Sequence, residues 1–359
     1  MAKNTAATLV EFNSLPPEAW GSGSIRPRSL MQTHEWMEAA ARIYGQEGQN
    51  KVLLVGDRAT PRAIALFRPS GAMRGLRLAG AMDIGESVEA LFSDETALND
   101  FAQGLVRLGV AVDLGHYPTS NGLTRHLRKV GKLRGLTLVR KLPQRAMPRL
   151  PLDEKWKAPL EQCGRSRRQQ YRRKWRKAEA IGPTEIEILS PGVAEMDAIF
   201  DRILAVEAKS WKGRAGTALL HDEKQSAFFR EFGRKMAKCG LLRLCFLKIN
   251  GQDAAMTFAT VWDNRFWAIK VGYDESFAPV SPGEALLVEL IRHSAENNYT
   301  SFEFCGKEAP WTRAWAEDAT EIESLRFYPL SFLGLGRLAL DGWQIIRQRV
   351  TARFETSHN

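Results

Sequence analysis

Three strand-like segments in succession constrain the fold of this chain more than any other feature. They are rich in apolar residues, and each has the length of a single strand. The segments are LLRLCFLKI, DAAMTFATVWD and FWAIKVGYDE. The turn dipeptides Asn250-Gly251 and Asp263-Asn264 separate them, and such dipeptides favour tight reversals of the chain. We therefore expect three neighbouring antiparallel strands in the second half of the chain.

The segments on either side of this group extend it to a complete α/β unit. TEIEIL predicts a strand before the group, and two segments with apolar residues at helical spacing follow that strand. Beyond the group come a helix from Ser281, the strand SFEFCG, a short helix and a last strand, EIESLRFYP. The expected order of elements is β, α, α, β, β, β, α, β, α, β.

The first half of the chain predicts another α/β unit, of about 150 residues. A segment with four prolines, PQRAMPRLPLDEKWKAP, follows it and is expected to be a linker or a crossover, because proline disfavours helix interiors and inner strands. We expect domains over residues 1–150 and 151–330, then a basic amphipathic helix over 331–359 that packs on the body or contacts an anionic lipid surface. The apolar stripe of that helix would comprise Leu338, Leu340, Trp343, Ile346 and Val350.

Charge and cysteine content narrow the classes of partner and compartment. A net charge of +10 favours an anionic partner, which could be nucleic acid, a lipid surface or a phosphorylated small molecule. The four cysteines lack CxxC or His-containing metal spacing, so we expect free thiols in a reducing cytoplasm and no metal. The N-terminus has no signal-peptide pattern, and no apolar run approaches the ~20 residues that span a bilayer.

The stretch RSRRQQYRRKWRKA carries eight Lys or Arg residues among its fourteen positions. Tyr171, Trp175 and Ala178 recur at helical spacing and give this basic helix one apolar face. Three interpretations stay open: a solvated helix packed between the halves by its aromatic face, a docking surface for an acidic substrate, donor or tRNA, and contact with an anionic membrane or polymer.

The junction VGYDESFAPVSPGEALL predicts a strand, a loop and the start of a helix. Ser281 suits the N-cap and Pro282 the first helical turn, and Glu284 completes a capping box. The free amides of a helix start attract phosphate, and Gly283 would let a ligand approach the backbone. A capped helix without a ligand is the alternative.

Three motifs in the second half resemble the GNAT acyltransferase superfamily, in particular its CelD-type branch, which is associated with cellulose biosynthesis and related to the Fem-type aminoacyltransferases. The motifs are VEAKSWKGRAGTAL, IKVGYDESFAPVSPG and FEFCGKEAPWTRAW. The resemblance covers roughly residues 150–330. It implies tandem GNAT-like domains with mixed, mostly antiparallel sheets flanked by helices, in which the first half is a degenerate copy.

The resemblance also implies a donor site. Acetyl-CoA or another acyl-CoA would serve as co-substrate in the gap between the strand ending near Asp274 and the strand SFEFC. Its pyrophosphate would meet the amides at Ser281, Pro282 and Gly283, and an amide near Val271 would hold the oxyanion. The superfamily's Gln/Arg-x-x-Gly-x-Gly/Ala loop is replaced here by VSPGEA, so an aminoacyl-tRNA donor stays open.

Other site residues follow from the same resemblance. Glu207 is expected to act as general base, and Trp211, on the same helix face, would line the acceptor pocket with Lys212. Lys270 would contribute to catalysis and Glu303, on the neighbouring strand, to substrate binding; an ion pair is the alternative for both. Tyr273 would protonate the departing thiolate, or simply pack at the strand end. Asp274 would bind substrate or cap the following turn.

The resemblance therefore implies an N-acyltransferase that modifies an amine. Its CelD-type part suggests an amino sugar, an amino acid or a polysaccharide precursor as acceptor, in an exopolysaccharide or envelope context. The chain is expected in the cytoplasm, with peripheral contact to the inner membrane as an option, and without DNA as a partner. The alternatives are a Fem-type aminoacyltransferase that uses tRNA and a non-catalytic scaffold for polysaccharide machinery.

Overall fold

The computed structural model describes residues 6–21, 23–45, 48–71, 73–141 and 146–356. The chain forms two compact units. The first combines Met1–Pro143 with Glu321–Asn359, and the second is Gln144–Thr320. Within the described residues, no helix is both long enough and apolar enough to cross a bilayer.

The first unit begins with short strands and amphipathic helices. Its strands are β1 (Thr8–Glu11), β2 (Lys51–Gly56), β3 (Pro61–Pro69), β4 (Leu76–Leu78), β5 (Leu91–Phe92), β6 (Val112–Pro118) and β7 (Gly135–Lys141). Its helices are α1 (His34–Tyr44), α2 (Glu95–Arg107) and α3 (Leu123–Arg134).

The second unit contains the predicted group of three strands. Its strands are β8 (Ala146–Pro151), β9 (Thr184–Leu189), β10 (Leu242–Ile249), β11 (Gln252–Trp262), β12 (Arg265–Tyr273), β13 (Ser301–Glu303) and β14 (Asp318–Thr320). Its helices are α4 (Arg165–Ile181), α5 (Val193–Ala208), α6 (Trp211–Arg214), α7 (Glu223–Lys238), α8 (Pro282–Glu296) and α9 (Pro310–Arg313). The chain then returns to the first unit with β15 (Ile322–Pro329) and α10 (Phe332–Thr356).

The two sheets share one pairing plan. The first runs β1-β2-β3-β4-β6-β15-β7, with β5 added on β3, and the second runs β9-β10-β11-β12-β13-β8-β14. Each has one parallel contact, β4 with β6 and β12 with β13, and its other contacts are antiparallel. The expected fold class of two mixed, mostly antiparallel sheets flanked by helices is confirmed.

The strand EIESLRFYP pairs differently from the sequence expectation. The sequence placed it at the end of the second unit, but as β15 it lies between β6 and β7 of the first sheet. Its side chains Leu325 and Phe327 are buried there. The pattern of residues in a strand specifies its apolar face but does not specify the strand that it pairs with. Strands pair through backbone hydrogen bonds, and the backbone groups are the same in every sequence.

Helices cover both faces of the second sheet. On one face, α5 and α7 place Phe200 and Phe229 against Phe258 of β11. On the other face, α8 packs into an apolar cluster that includes Phe266 and Phe302. Among the predicted site residues, Glu207 belongs to α5 and Gly283 to α8. The predicted site residues are therefore distributed between the two faces of this sheet.

Candidate active site

Strands β12 and β13 pair over only three residues. The parallel register joins Arg265 to Ser301 and ends where Trp267 lies opposite Glu303. Strand β12 continues to Tyr273, whereas β13 stops. Past this point the β12 edge has no partner strand on that side in the described part of the chain. A strand edge with unpaired backbone groups can bind an extended ligand by main-chain hydrogen bonds.

A β-bulge lies where this open edge begins. The register between β11 and β12 shifts between Phe258 and Ala259, whose partners are Lys270 and Ala268. Ile269 is therefore the extra residue on β12. Bulges bend a strand and re-aim its groups, and this one coincides with the separation of β12 from β13.

The hydrogen bonds beyond the bulge show which backbone groups face the opening. The Asp274 amide donates to the Ala254 carbonyl of β11 at 2.9 Å. Since successive residues direct their backbone groups to opposite edges of a strand, Val271 and Tyr273 direct theirs away from β11. The predicted oxyanion donor, the Val271 amide, thus faces the open edge.

Glu207 lies beside this edge in a closed arrangement. Its side chain is buried, and the whole residue is 1% exposed. One carboxylate oxygen is 2.7 Å from the Lys212 ammonium, and the other accepts from the Leu219 amide at 2.8 Å. Lys212 also donates to the Val271 carbonyl at 2.9 Å. One ammonium group of the short helix α6 therefore links α5 to β12.

The expected shared helix face of Glu207 and Trp211 is wrong. Helix α5 ends at Ala208, and Ser210 caps the separate helix α6, whose first residue is Trp211. Trp211 is exposed, whereas Glu207 is buried. The spacing rule fails because it holds only within one continuous helix.

Lys270 lies on the face covered by α5 and α7. Its ammonium is 4.8 Å from the centre of the Phe229 ring and 3.5 Å from the Gln225 side-chain oxygen. As expected, Lys270 and Glu303 lie on adjacent strands, β12 and β13. However, the residue opposite Glu303 is Trp267 and not Lys270.

Glu303 is held within the sheet. It is buried and accepts a hydrogen bond from the Ser301 hydroxyl at 2.6 Å, with Arg265 at 3.9 Å. Burial raises the pKa of the Glu303 carboxyl, and the Ser301 hydrogen bond and the charge of Arg265 only partly oppose this. The structure thus places Glu303 where the gap starts, among polar side chains of its own sheet.

Tyr273 and Asp274 form the end of β12. A Cβ added to Gly283 would lie 3.3 Å from the Tyr273 ring, so Gly283 leaves room for this ring. None of the hydrogen bonds found among the described residues involves the Tyr273 hydroxyl. Asp274 caps the following turn, because its carboxylate accepts from the Ser276 amide and hydroxyl at 2.9 and 2.7 Å. Burial opposes ionisation, but the bonds from Ser276 and Lys209 hold the Asp274 pKa below its usual value.

The predicted capping box at α8 is wrong. Ser281 has a left-handed backbone (φ 52°) and makes no side-chain cap bond, because a capping side chain needs an extended N-cap residue to reach the first amides. Glu284 instead pairs with Arg167 at 3.3 Å and Lys174 at 3.7 Å. The first turn of α8 thus combines amides without a side-chain cap and two cations that pair with the Glu284 carboxylate. A phosphate at these amides would have to share the two cations with Glu284.

The two cations come from α4, the basic helix. One side of α4 is anchored to the second unit through buried Tyr171 and Ala178 and through Arg167, which stacks on Trp315 at 4.1 Å. The other side is exposed and carries cations for which no ion pair is found among the described residues. These are Arg165, Arg172, Arg173, Arg176 and Lys177.

Sequence reasoning missed three features of this site. It did not identify Arg167 and Lys174 as partners of Glu284, the bulge at Ile269, or the contact of Lys212 with the Val271 carbonyl. Only the positive charge of α4 gave a signal, because the other features depend on pairing between distant segments. Groups of three His, Cys, Asp or Glu side chains that could hold a metal are absent from the described residues.

Comparison with known proteins gives one family match, which lies within the second unit. Residues 165–313 match the model of the acetyltransferase (GNAT) domain. The structure of the C-terminal domain of a protein described as a lysylphosphatidylglycerol synthetase from Agrobacterium fabrum is similar over 85% of this chain and 95% of its own, with 14% identity and a TM-score of 0.51. FemX is similar over 84% and 92%, with 12% identity and a TM-score of 0.56. At these identities the likeness concerns the fold alone. No curated protein sequence matches the chain.

Proposed function

We propose that this chain, whose second unit carries a GNAT acetyltransferase domain, is an N-acyltransferase that moves an acyl group from an acyl-CoA thioester to an amine. The observation that carries the proposal is the open edge of β12 after Trp267, which lies between the bulge and the end of the strand. The acetyltransferase domain supports the reaction class; the donor and the acceptor are our inference.

The donor would bind in two parts. The pyrophosphate would meet the first turn of α8, at Ser281, Pro282 and Gly283, where Lys174 and Arg167 supply positive charge. Proline has no N–H, so the amides of the neighbouring residues would make the hydrogen bonds. The extended pantetheine arm would follow the β12 edge. In this proposal amides and cations would bind the phosphate, so the donor would need no metal.

The transfer itself needs positioning and proton management. The amine nitrogen attacks the thioester carbonyl; a C–N bond forms and the C–S bond breaks. The Val271 amide would stabilise the negative charge on the carbonyl oxygen. The Tyr273 hydroxyl would give its proton to the thiolate, and Glu207 would take the proton of the amine.

Lys212 supports an amine as the acceptor. Its ammonium already lies between the Glu207 carboxylate and the Val271 carbonyl, so these two oxygens bind a primary ammonium group. An acceptor amine that exchanged with Lys212 would meet the base and the strand edge together. Trp211, Asp274 and Glu303 would line its approach, and Lys270 would add positive charge near the gap. The CelD-type resemblance favours an amino sugar, an amino acid or a polysaccharide precursor as acceptor.

A second candidate is transfer from an aminoacyl-tRNA. The observation that favours it is the exposed row of cations on α4, which could follow a phosphate backbone. This candidate predicts tRNA binding that weakens steeply with salt and that requires Arg172 and Arg176. A scaffold without activity would bind neither donor.

Calorimetric titration of acetyl-CoA and longer acyl-CoAs into the full chain tests the leading candidate. We expect saturable binding that becomes about tenfold weaker in Lys174→Gln, because one charge-assisted contact to phosphate is lost. Arg176→Gln is the matched control on the same helix and should bind as the wild type does. Absence of CoA binding, together with binding of charged tRNA, would replace the acyl-CoA candidate by the second one.

A further inference from the structure

Helix α10 of the first unit is attached by its polar side. Arg337 and Asp341 form an ion pair at 2.8 Å, one helical turn apart. Asp341 also accepts from the Tyr328 hydroxyl of β15 at 2.8 Å, and Arg337 donates to the Ser70 carbonyl. Asp341 is buried. A charged network thus faces the body of the unit.

The opposite side of α10 is apolar and faces outward. Phe332 is 83% exposed, Trp343 58% and Ile346 64%. With exposed Leu335 and Ala339 they recur at intervals of three and four residues, which places them along one stripe of a helix. The sequence expectation included Trp343 and Ile346. Of its other members, Leu338 is only partly exposed and Leu340 is exposed but does not fall at this spacing. The side chain of Val350 is outside the part of the chain that the structure describes. We call these five exposed residues the α10 stripe.

This orientation is the reverse of that in an ordinary surface helix, which buries its apolar stripe and exposes its polar side. A continuous exposed apolar patch generally marks an interaction surface. The α10 stripe combines two aromatic residues with aliphatic ones, the composition of helices that lie in a membrane interface.

We propose that the α10 stripe lies on the surface of an anionic lipid bilayer. The charge of the chain favours a lipid bilayer over a second copy of the chain as the partner of the α10 stripe. The net charge of +10 attracts the chain to an anionic surface and opposes association of two copies. Arg347, exposed one turn after Trp343 with its guanidinium 5.6 Å from that ring, lies where lipid phosphates would be, and Arg349 and Arg353 follow in the helix sequence.

The extent of the stripe supports the same choice. A stable dimer buries about 800 Å² per partner, which five side chains on one helix do not readily supply. Insertion of the same side chains into a bilayer interface needs no matching surface, and each buried apolar group contributes by itself.

Vesicle sedimentation with the full chain tests the proposal. Vesicles of equal parts phosphatidylcholine and phosphatidylglycerol should bind the wild type, and vesicles of phosphatidylcholine alone should bind it at least about tenfold more weakly. The double substitution Trp343→Gln/Ile346→Gln should weaken binding to the anionic vesicles about tenfold or more. Both positions are exposed, so folding should be retained.

Leu136→Gln/Leu138→Gln is the matched control, because these residues of the same unit are 43% and 45% exposed on β7. It should bind as the wild type does. Equal binding of the Trp343/Ile346 variant and the wild type would overturn the proposal, since attraction by charge alone would then explain sedimentation. Binding to neither vesicle, or a wild-type dimer in light scattering that the Trp343/Ile346 variant dissociates, would also overturn it.

Discussion

The ammonium group of Lys212 lies 2.7 Å from the carboxylate of Glu207 and neutralises a buried acid beside the open edge of β12. The same ammonium donates to the Val271 carbonyl. Through the ion pair and this hydrogen bond, Lys212 fixes α6 both to α5 and to the strand that would hold the acyl group.

Removal of this cation should destabilise the second unit. Lys212→Met leaves Glu207 buried with an uncompensated charge, so the free energy of unfolding should fall by about 3–5 kcal/mol. Glu207→Gln/Lys212→Met should lose clearly less than the sum of the single changes. Urea unfolding of the four proteins measures this, with Lys177→Met on the exposed side of α4 as the control. Strict additivity would show that the pair does not couple the two segments.

The substitution Gly283→Ala should lower stability in the wild type and raise it in the Tyr273→Ala variant. In the wild type, the new Cβ lies 3.3 Å from the Tyr273 ring, and displacement of the ring should cost about 1–3 kcal/mol. In Tyr273→Ala this contact is absent, and the better helix propensity of alanine should stabilise α8 by up to about 1 kcal/mol. Thermal unfolding of the four proteins checks the sign. Destabilisation in both backgrounds would mean that Gly283 serves another purpose.

The difference in stability between the wild type and Glu303→Gln should depend on pH. Burial raises the folded-state pKa of this carboxyl above its ordinary value of 4.5. The folded state therefore holds the proton more tightly than the unfolded state does, and stability is lost as the pH rises from 4.5 through the folded pKa. Glu303→Gln should gain stability relative to the wild type over that range and show no such gain below pH 4.5. The unfolding midpoints of both proteins across the range measure the difference, and a difference independent of pH would contradict the raised pKa.

Truncation should separate the contributions of β15 and α10. Deletion of residues 321–359 removes the strand between β6 and β7, so amides of the first unit should lose protection in hydrogen exchange while β10–β12 of the second unit retain it. Deletion of residues 331–359 keeps β15 and should preserve far more protection in β6 and β7. Equal loss in both deletions would assign the stabilisation to α10.

Local patterns predicted much of the second unit. Apolar segments of strand length and two turn dipeptides predicted β10, β11 and β12. Apolar residues at helical spacing predicted α5 and α7, and the residues at Ser281 and Pro282 predicted the start of α8. The sequence also predicted that Asp274 could cap the turn that follows β12, and its carboxylate does so. These features depend on residues a few positions apart, whose interactions do not need the rest of the chain.

The capping box at Ser281 shows where such reasoning ended. The residue types were right for a capping box. However, Ser281 has a left-handed backbone and makes no side-chain cap bond, and Glu284 pairs with cations of α4 instead. The shared helix face expected for Glu207 and Trp211 failed for a similar reason, because α5 ends at Ala208, before Trp211.

The sequence by itself therefore determined most elements of the second unit and the charge of α4 and of the chain. It did not predict β8, which lies within the proline-bearing segment expected to be a linker or crossover and pairs with both β13 and β14. The tertiary structure decided that β15 joins the first sheet, that Lys212 reaches Val271, that β12 parts from β13 after Trp267, and that α10 presents its apolar side outward. Elements arise from local backbone preference and side-chain periodicity. Partners are chosen by packing and hydrogen bonding between segments far apart in the chain, where many pairings satisfy the same local pattern.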